Sequence, residues 1–185
     1  ALDFKAIQFI NKYKPESFGD DKLLKVISKY FEKKGFKFVK WSHYCPQLFS
    51  NSNYLTYSRP SKTALENLNV GLKIFKLYSK LDIGQSMAVK NKLILGLEAA
   101  EGTDNLIKRC SRYKKSKEKG IIIKLKKYNQ DLKFDLPTIG LNTIKLIIKY
   151  NYEGIFIQKK YCLILDKQKV IDFANKNNIF IAGIS

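Results

Sequence analysis

A chain of 185 residues carries 35 Lys and Arg against 16 Asp and Glu, for a formal net charge of +19. Its hydrophobic content of 45% supports one packed domain, or one domain and part of another, and argues against disorder. No apolar run approaches the roughly 18–20 residues needed to cross a bilayer, and Cys45, Cys110 and Cys162 are too far apart for a disulfide framework or a zinc site, which fits a reducing cytoplasm.

The charge invites a nucleic-acid reading, which the residue types oppose. The basic set is 32 Lys against only Arg59, Arg109 and Arg112, whereas base-edge and bidentate phosphate recognition favours Arg. The lysines run along the whole chain beside Ile, Asn, Tyr and Phe, so no nucleic-acid partner is expected. What remains is attraction to anionic surfaces, about 1 kcal/mol per Lys close to a lipid headgroup layer. His43 is the lone histidine, and it leaves no Ser-His or Cys-His pair for nucleophilic catalysis.

In chain order, Ala1 to Lys5 lack both an initiator Met and the apolar core of a signal peptide. Phe4, Ile7, Ile10 and Tyr13 keep a helical spacing, so the chain reads as beginning inside a longer protein. Gly19-Asp20-Asp21 precedes an apolar stripe at Leu23, Leu24, Val26, Ile27, Tyr30 and Phe31, with Asp20 or Asp21 as helix cap and Gly35 as stop. Phe36 to Trp41 alternate as a strand. Ser42 to Lys62 is rich in turn residues, and a domain boundary is expected near residue 58. Thr63-Ala-Leu-Glu66 matches a capping box for a helix to about Lys80, with Leu68, Val70, Leu72, Ile74 and Leu77 mostly inward.

Ser86 to Val89, a Lys90-Asn91-Lys92 turn and Leu93 to Leu97 predict a hairpin that delivers Glu98. A helix follows from about Thr103 to Lys115, burying Leu106, Ile107 and Cys110, and Lys114 to Gly120 reads as a solvated helix end and turn. Ile121 to Leu125 is a buried strand. After Gly140 come a helix (Asn142 to Tyr152), short strands at Gly154–Gln158 and Tyr161–Leu165, a helix from Lys167 capped by Asp166, and a last strand, Ile179–Ile184. Strands alternate with helices, so the fold class is α/β with a mixed sheet.

Two strings in loops beside strands carry the chemistry, Glu98-Ala-Ala-Glu101-Gly102-Thr103-Asp104 and Phe134-Asp135-Leu136-Pro137-Thr138-Ile139-Gly140. Their carboxylates, Thr hydroxyls and Gly backbone suit a hydrated divalent cation and a phosphate. Asp104 falls in the first turn of a helix, where its charge either stabilises the helix start or serves a ligand. Asp135 sits in backbone that Pro137 constrains, which suits a metal ligand or general base at a strand end. Neither a P-loop nor a dinucleotide fingerprint is present.

At these residues the chain resembles the LpxI family, the UDP-2,3-diacylglucosamine pyrophosphatases of lipid A biosynthesis. The matching pieces are Asp82-Ile-Gly-Gln85, Glu98 to Asp104, Lys124, Lys127, Gln130-Asp131, Phe134 to Gly140, Gly154-Ile155, Leu165-Asp166 and Ile179 to Ile184. The chain departs from the family at Tyr128 and Leu141, where Pro is usual, and at Lys133, where Arg is usual; Lys keeps the charge but not the bidentate fork. The resemblance implies a catalytic domain over residues 58–185 preceded by the remnant of a Rossmann-like α/β domain over residues 1–57. It further implies Mg²⁺-dependent hydrolysis of UDP-2,3-diacylglucosamine to UMP and 2,3-diacylglucosamine 1-phosphate (lipid X), with Asp135 at the catalytic position. Glu101 and Asp104 are then expected as metal or water-shell partners of Asp135, and Gln85, Thr103, Lys124, Lys127 and Thr138 as phosphate contacts. The expected partner is a lipid-linked nucleotide sugar, at the cytoplasmic face of the inner membrane with peripheral contact, and a homodimer is compatible with the sequence. The alternative is a non-catalytic lipid- or nucleotide-binding module.

Overall fold

The computed structural model describes residues 8, 9, 11, 20–81, 83–115, 118–128 and 130–185. The expected helical spacing of Phe4, Ile7, Ile10 and Tyr13 lies outside these residues, as do Gly19 and Asp82. Helix α1 (Asp20–Glu32) forms on the apolar stripe read from the sequence, with Leu23, Leu24, Val26 and Ile27 half-buried. It stops at Gly35, which adopts φ +89°. The Gly35 N–H reaches the Glu32 carbonyl at 3.0 Å and the Phe36 N–H reaches that of Phe31 at 3.2 Å, a left-handed closure that glycine makes without Cβ strain.

The strand expected over Phe36–Trp41 does not form. Residues 36–40 have no regular structure, and Trp41–Tyr44 is a short helix, α2. An alternating pattern becomes a strand only when a neighbour completes its backbone ladder, and no described strand lies beside this one. Phe38 packs instead on Phe134, ring centroids 4.7 Å apart. Residues 53–56 run along the last strand of the chain: the Leu55 N–H donates to Ile181 O (2.9 Å), the Gly183 N–H to Asn53 O (2.8 Å) and the Ile181 N–H to Thr56 Oγ1 (2.9 Å).

Helix α3 (Lys62–Tyr78) is capped two residues before the expected capping box. Its cap is Ser61, whose Oγ accepts the Ala64 N–H at 3.0 Å, so Thr63 is already helical and exposed. Of the expected inward residues Leu68 is buried, Leu72 and Ile74 pack half-buried against the same layer, Val70 is half-buried and Leu77 is 71% exposed; Ala64, Gly71, Phe75 and Tyr78 complete the buried face at the 3.6-residue period.

The hairpin forms as read, β1 (Ser86–Lys90) against β2 (Leu93–Leu97), with Asn91 and Lys92 both at positive φ (49° and 63°) in a two-residue turn. Helix α4 (Gly102–Ser111) buries Leu106, Ile107 and Cys110 as expected but ends before Lys115. Strand β3 (Gly120–Lys124) is followed by a long loop and β4 (Thr138–Ile139). Then come α5 (Leu141–Lys149), β5 (Tyr152–Gln158), β6 (Leu163–Ile164), α6 (Lys167–Lys176) and β7 (Phe180–Ile184). Tyr152 therefore begins a strand where the sequence reading ended a helix. Asp166 precedes α6 in a left-handed conformation (φ 49°) and makes no side-chain cap, so its expected capping role is not realised.

The main sheet has the order β2-β1-β3-β5-β7, and β4 pairs with β6 in a separate two-stranded ladder. Strands β2, β1 and β3 are antiparallel neighbours, whereas β3, β5 and β7 run parallel, which makes the sheet mixed as expected. Alternate residues of β3 serve opposite layers. Ile121 and Ile123 join Leu68, Phe75, Met87 and Phe156 on the α3 face, and Ile122 joins Leu106, Ile144 and Ile155 on the face covered by α4, α5 and α6. Each such side chain contributes about 1.5–3 kcal/mol when fully buried, and these layers fix the strand ends on which the polar site is built. Among the described residues no helix is long and apolar enough to cross a membrane.

Candidate active site

At the carboxyl ends of β2 and β3, where α/β folds usually place ligands, a connected set of polar groups interrupts the apolar layers. Glu98 leaves β2 buried, only 9% exposed. Its Oε1 accepts the Thr103 hydroxyl at 2.9 Å, and its Oε2 accepts the Gln85 N–H at 3.2 Å. Thr103 lies in the first turn of α4, and its oxygen also accepts the Lys124 ammonium at 2.5 Å and meets Ser86 Oγ at 3.1 Å. Lys124 closes β3 and is 6% exposed. Among the described residues no carboxylate lies within ion-pair distance of it, so Thr103 is the link between this buried cation and Glu98.

Asp135 stands beside this set. It lies in a turn closed by its own N–H on the Asp131 carbonyl at 3.1 Å, before β4 and not at the end of a preceding strand as the sequence suggested. The Gln130 amide donates to Asp135 Oδ2 at 2.7 Å, and the Gln85 amide approaches the same oxygen at a long 3.5 Å. No described residue donates a hydrogen bond to Oδ1. Gln130 is buried, and its Oε1 accepts the Lys127 N–H at 2.9 Å, which ties the Lys127 backbone to the same turn. Gln85 therefore touches both carboxylates, Glu98 through its backbone and Asp135 through its side chain.

The other expected residues are placed differently. Glu101 is held by Arg109 at 2.6 Å and accepts the Ala99 N–H at 3.1 Å; the Arg109 hydrogen bond keeps its carboxyl below the usual range. Asp104 is exposed and accepts the Asn142 amide at 2.6 Å. Among the described residues neither carboxylate hydrogen-bonds to the Asp135 turn, and no three His, Cys, Asp or Glu form a group able to hold a metal ion. Thr138 is in β4, its hydroxyl donated to Leu136 O at 2.9 Å. Lys133 lies 3.8 Å from Glu32. Among the described residues the buried Tyr78 hydroxyl has no hydrogen-bond partner, and burial first, then the Glu98 charge, pushes its pKa well above the ordinary phenol value.

The sequence reading gave no role to Glu98, Ser86 or Gln130. The available signal for Glu98 was its position: it follows the apolar run Leu93–Leu97 directly, so it enters the protein where Glu101 and Asp104, a helical turn later, turn outward. Chemically, the site offers one half-buried carboxylate, Asp135, held by amides, a buried ammonium and two hydroxyls, with the second carboxylate, Glu98, buried behind them on Thr103 and the Gln85 N–H. That set suits a group rich in anionic oxygens. Mg²⁺ keeps several waters and takes one or two carboxylates together with substrate phosphates, so Asp135 alone fits the protein's share of such a site.

The family model described as the LpxI C-terminal domain matches residues 51–182. Over 172 residues the chain is 29% identical to the UDP-2,3-diacylglucosamine pyrophosphatase LpxI of Caulobacter vibrioides, an alignment covering 90% of this chain and 61% of that relative. The chain thus spans about three fifths of the length of the curated relative it matches.

Proposed function

The chain belongs to the LpxI family, and on that premise we propose that it hydrolyses the pyrophosphate of UDP-2,3-diacylglucosamine to UMP and 2,3-diacylglucosamine 1-phosphate in lipid A biosynthesis. Water adds to one phosphorus, the bond from that phosphorus to the bridging oxygen breaks, and the products leave as two phosphate monoesters. The observation that carries the reading is Asp135, fixed through Oδ2 by the Gln130 amide beside the buried Lys124–Thr103–Glu98 chain. In this reading Asp135 orients the water and takes its proton at Oδ1, the oxygen that no described residue engages. Lys124 supplies positive charge where negative charge builds on the phosphoryl oxygens, in a place shielded from water. Gln85 and Lys127 line the approach as phosphate contacts, while Thr103 holds the Lys124 ammonium in place and Thr138 is fixed on the Leu136 carbonyl. Asp135 would hold a bound Mg²⁺, which would supply Lewis-acid stabilisation of those same charges, and Glu101 and Asp104, engaged with Arg109 and Asn142, shape the α4 start. The lipid substrate brings the protein to the cytoplasmic face of the inner membrane, to which its lysines are attracted.

The test is UMP release by the wild type and by Asp135→Asn, each with Mg²⁺ and with EDTA. The wild type is expected to release UMP only with metal, and the variant to bind the substrate without turnover. A variant that keeps more than about a tenth of kcat, a loss under about 1.4 kcal/mol of transition-state stabilisation, removes Asp135 from the chemistry. Tight binding of the nucleotide sugar by the wild type without UMP release would favour the binding-module reading.

A further inference from the structure

We propose that Glu98 is a positioning residue for this reaction, one buried carboxylate that fixes both Lys124 and the Asp135 turn from the end of β2; the proposal rests on the hydrolase reading above. Each of its oxygens has a separate task. Oε1 takes the Thr103 proton at 2.9 Å, so the Thr103 oxygen is left to accept the Lys124 ammonium at 2.5 Å. A hydroxyl has one proton and two lone pairs, and Glu98 decides which way that proton points. With the proton on Glu98, Thr103 is an acceptor toward Lys124; without Glu98 it is free to turn, and the ammonium loses its only described partner.

Oε2 takes the Gln85 N–H at 3.2 Å, and the side-chain amide of the same residue faces Asp135 at 3.5 Å. That distance is at the long limit of a hydrogen bond, as catalytic contacts often are before substrate tightens them. The loop that carries Gln85 is clamped to Glu98 at two further points. The Glu98 N–H donates to Ser86 O at 2.9 Å, and Gly84 lies so close to the Glu98 carbonyl that a Cβ there would collide with it. Glycine at 84 is therefore required by the approach of two backbones, the approach that brings Gln85 within reach of Glu98 Oε2.

A glutamine at 98 has nearly the same shape but one acceptor in place of two; the Gln85 N–H can only donate and keeps that acceptor, so the arm to Thr103, whose hydroxyl can turn, is the one broken. Glu98→Gln is expected to lower kcat about 10- to 100-fold, in line with partners that orient catalytic groups, with KM changed less than about threefold and Tm close to wild type. Thr103→Val removes the same arm from the other side. Because both changes act on Lys124 through one hydrogen-bonded chain, the double variant is expected to lose little more than the worse single one, whereas independent structural damage would multiply.

Asp135→Asn and the wild type are run alongside. If the wild type releases no UMP, the hydrolase reading fails; if Asp135→Asn stays active, only the catalytic role of Asp135 falls. If Asp135→Asn is dead while Glu98→Gln turns over like wild type, or while the Glu98 and Thr103 losses multiply, the positioning role alone is overturned. Should Glu98→Gln fold poorly, Gly84→Ala pushes the Gln85 loop off Glu98 without touching its charge. A fall in kcat at unchanged KM there supports the role, and wild-type kcat from a folded Gly84→Ala protein overturns it.

Discussion

Lys114 is half-buried beside the end of α5. Its ammonium donates to the carbonyls of Tyr150 at 2.5 Å and Asn151 at 2.8 Å and lies 3.5 Å above the ring of Tyr152. Those contacts favour the charged form, but burial, and then the charge of Lys90, outweigh them and pull its pKa down to about 8. The sequence reading took Lys114 as part of a solvated basic turn, since a run of lysines in a Gly-bounded segment carries no sign of which member folds back. The consequence is a stability that depends on pH. The folded value lies below the roughly 10.4 of a free lysine, so between about pH 8 and 10 the unfolded chain binds more protons and stability rises with pH. Lys114→Met removes that increment. Denaturant unfolding at about pH 7.5 and 9.5 should show wild-type stability gaining on the variant at the higher pH; equal changes in both proteins would mean that Lys114 titrates alike folded and unfolded. Comparing the two proteins cancels Cys110 and Cys162, whose thiols burial raises and which act in the opposite sense.

At the scale of elements, the long periodic segments were legible and their ends were not. The apolar spacing of α1 and α4, the Asn91-Lys92 turn and the Ile121–Ile123 run of β3 follow from local chemistry, and the structure keeps them. The α3 start was missed because two capping signals overlap: Thr63 and Glu66 match a capping box, yet Ser61 two residues earlier wins. Ser61 wins through a tertiary contact. Its N–H and hydroxyl both donate to Glu153 of β5, at 2.6 and 2.9 Å, while its oxygen caps Ala64, and no local pattern announces Glu153. The two positions can therefore be told apart by mutation. Ser61→Ala should cost about 1 kcal/mol, the usual loss for an N-cap, and lower Tm by roughly 2–4 °C for a chain of this size. Thr63→Ala, at an exposed position inside the helix, should leave Tm unchanged or slightly raised, since Ala is the better helix former. The reverse order would restore the capping box. Phe36–Trp41 fails as a strand for a related reason: alternation is local, but a ladder partner is not.

The whole molecule separates what sequence can and cannot specify about the site. Asp135, Thr103 and Lys124 were legible as residue types, but their convergence depends on β2 and β3 ending, and antiparallel β1 beginning, at one level of a mixed sheet, and Glu98 and Gln130 acquire meaning only there. Charge behaves differently, because a formal +19 is a property of the whole surface and needs no particular fold. The structure pairs several of these lysines or uses them as local struts: Lys90 with Glu118, Lys92 with Glu66, Lys114 on backbone carbonyls and Lys167 on the Phe49 carbonyl. Two of the three arginines are likewise engaged, Arg109 with Glu101 and Arg59 with the Tyr57 carbonyl and the Tyr54 ring. A surface of this kind attracts any polyanion at low salt, but it does not set out the bidentate forks that read base edges. Binding to duplex or single-stranded DNA should therefore be detectable at about 50 mM salt and lost by about 200 mM, with log K falling by roughly 0.9 per phosphate neutralised for each unit of log salt. It should also be indifferent to base sequence. A fluorescence-anisotropy titration across that salt range decides the matter: sub-micromolar, sequence-dependent binding at physiological salt would make the charge a recognition device, and its disappearance would leave the lysines as a general attraction to anionic surfaces.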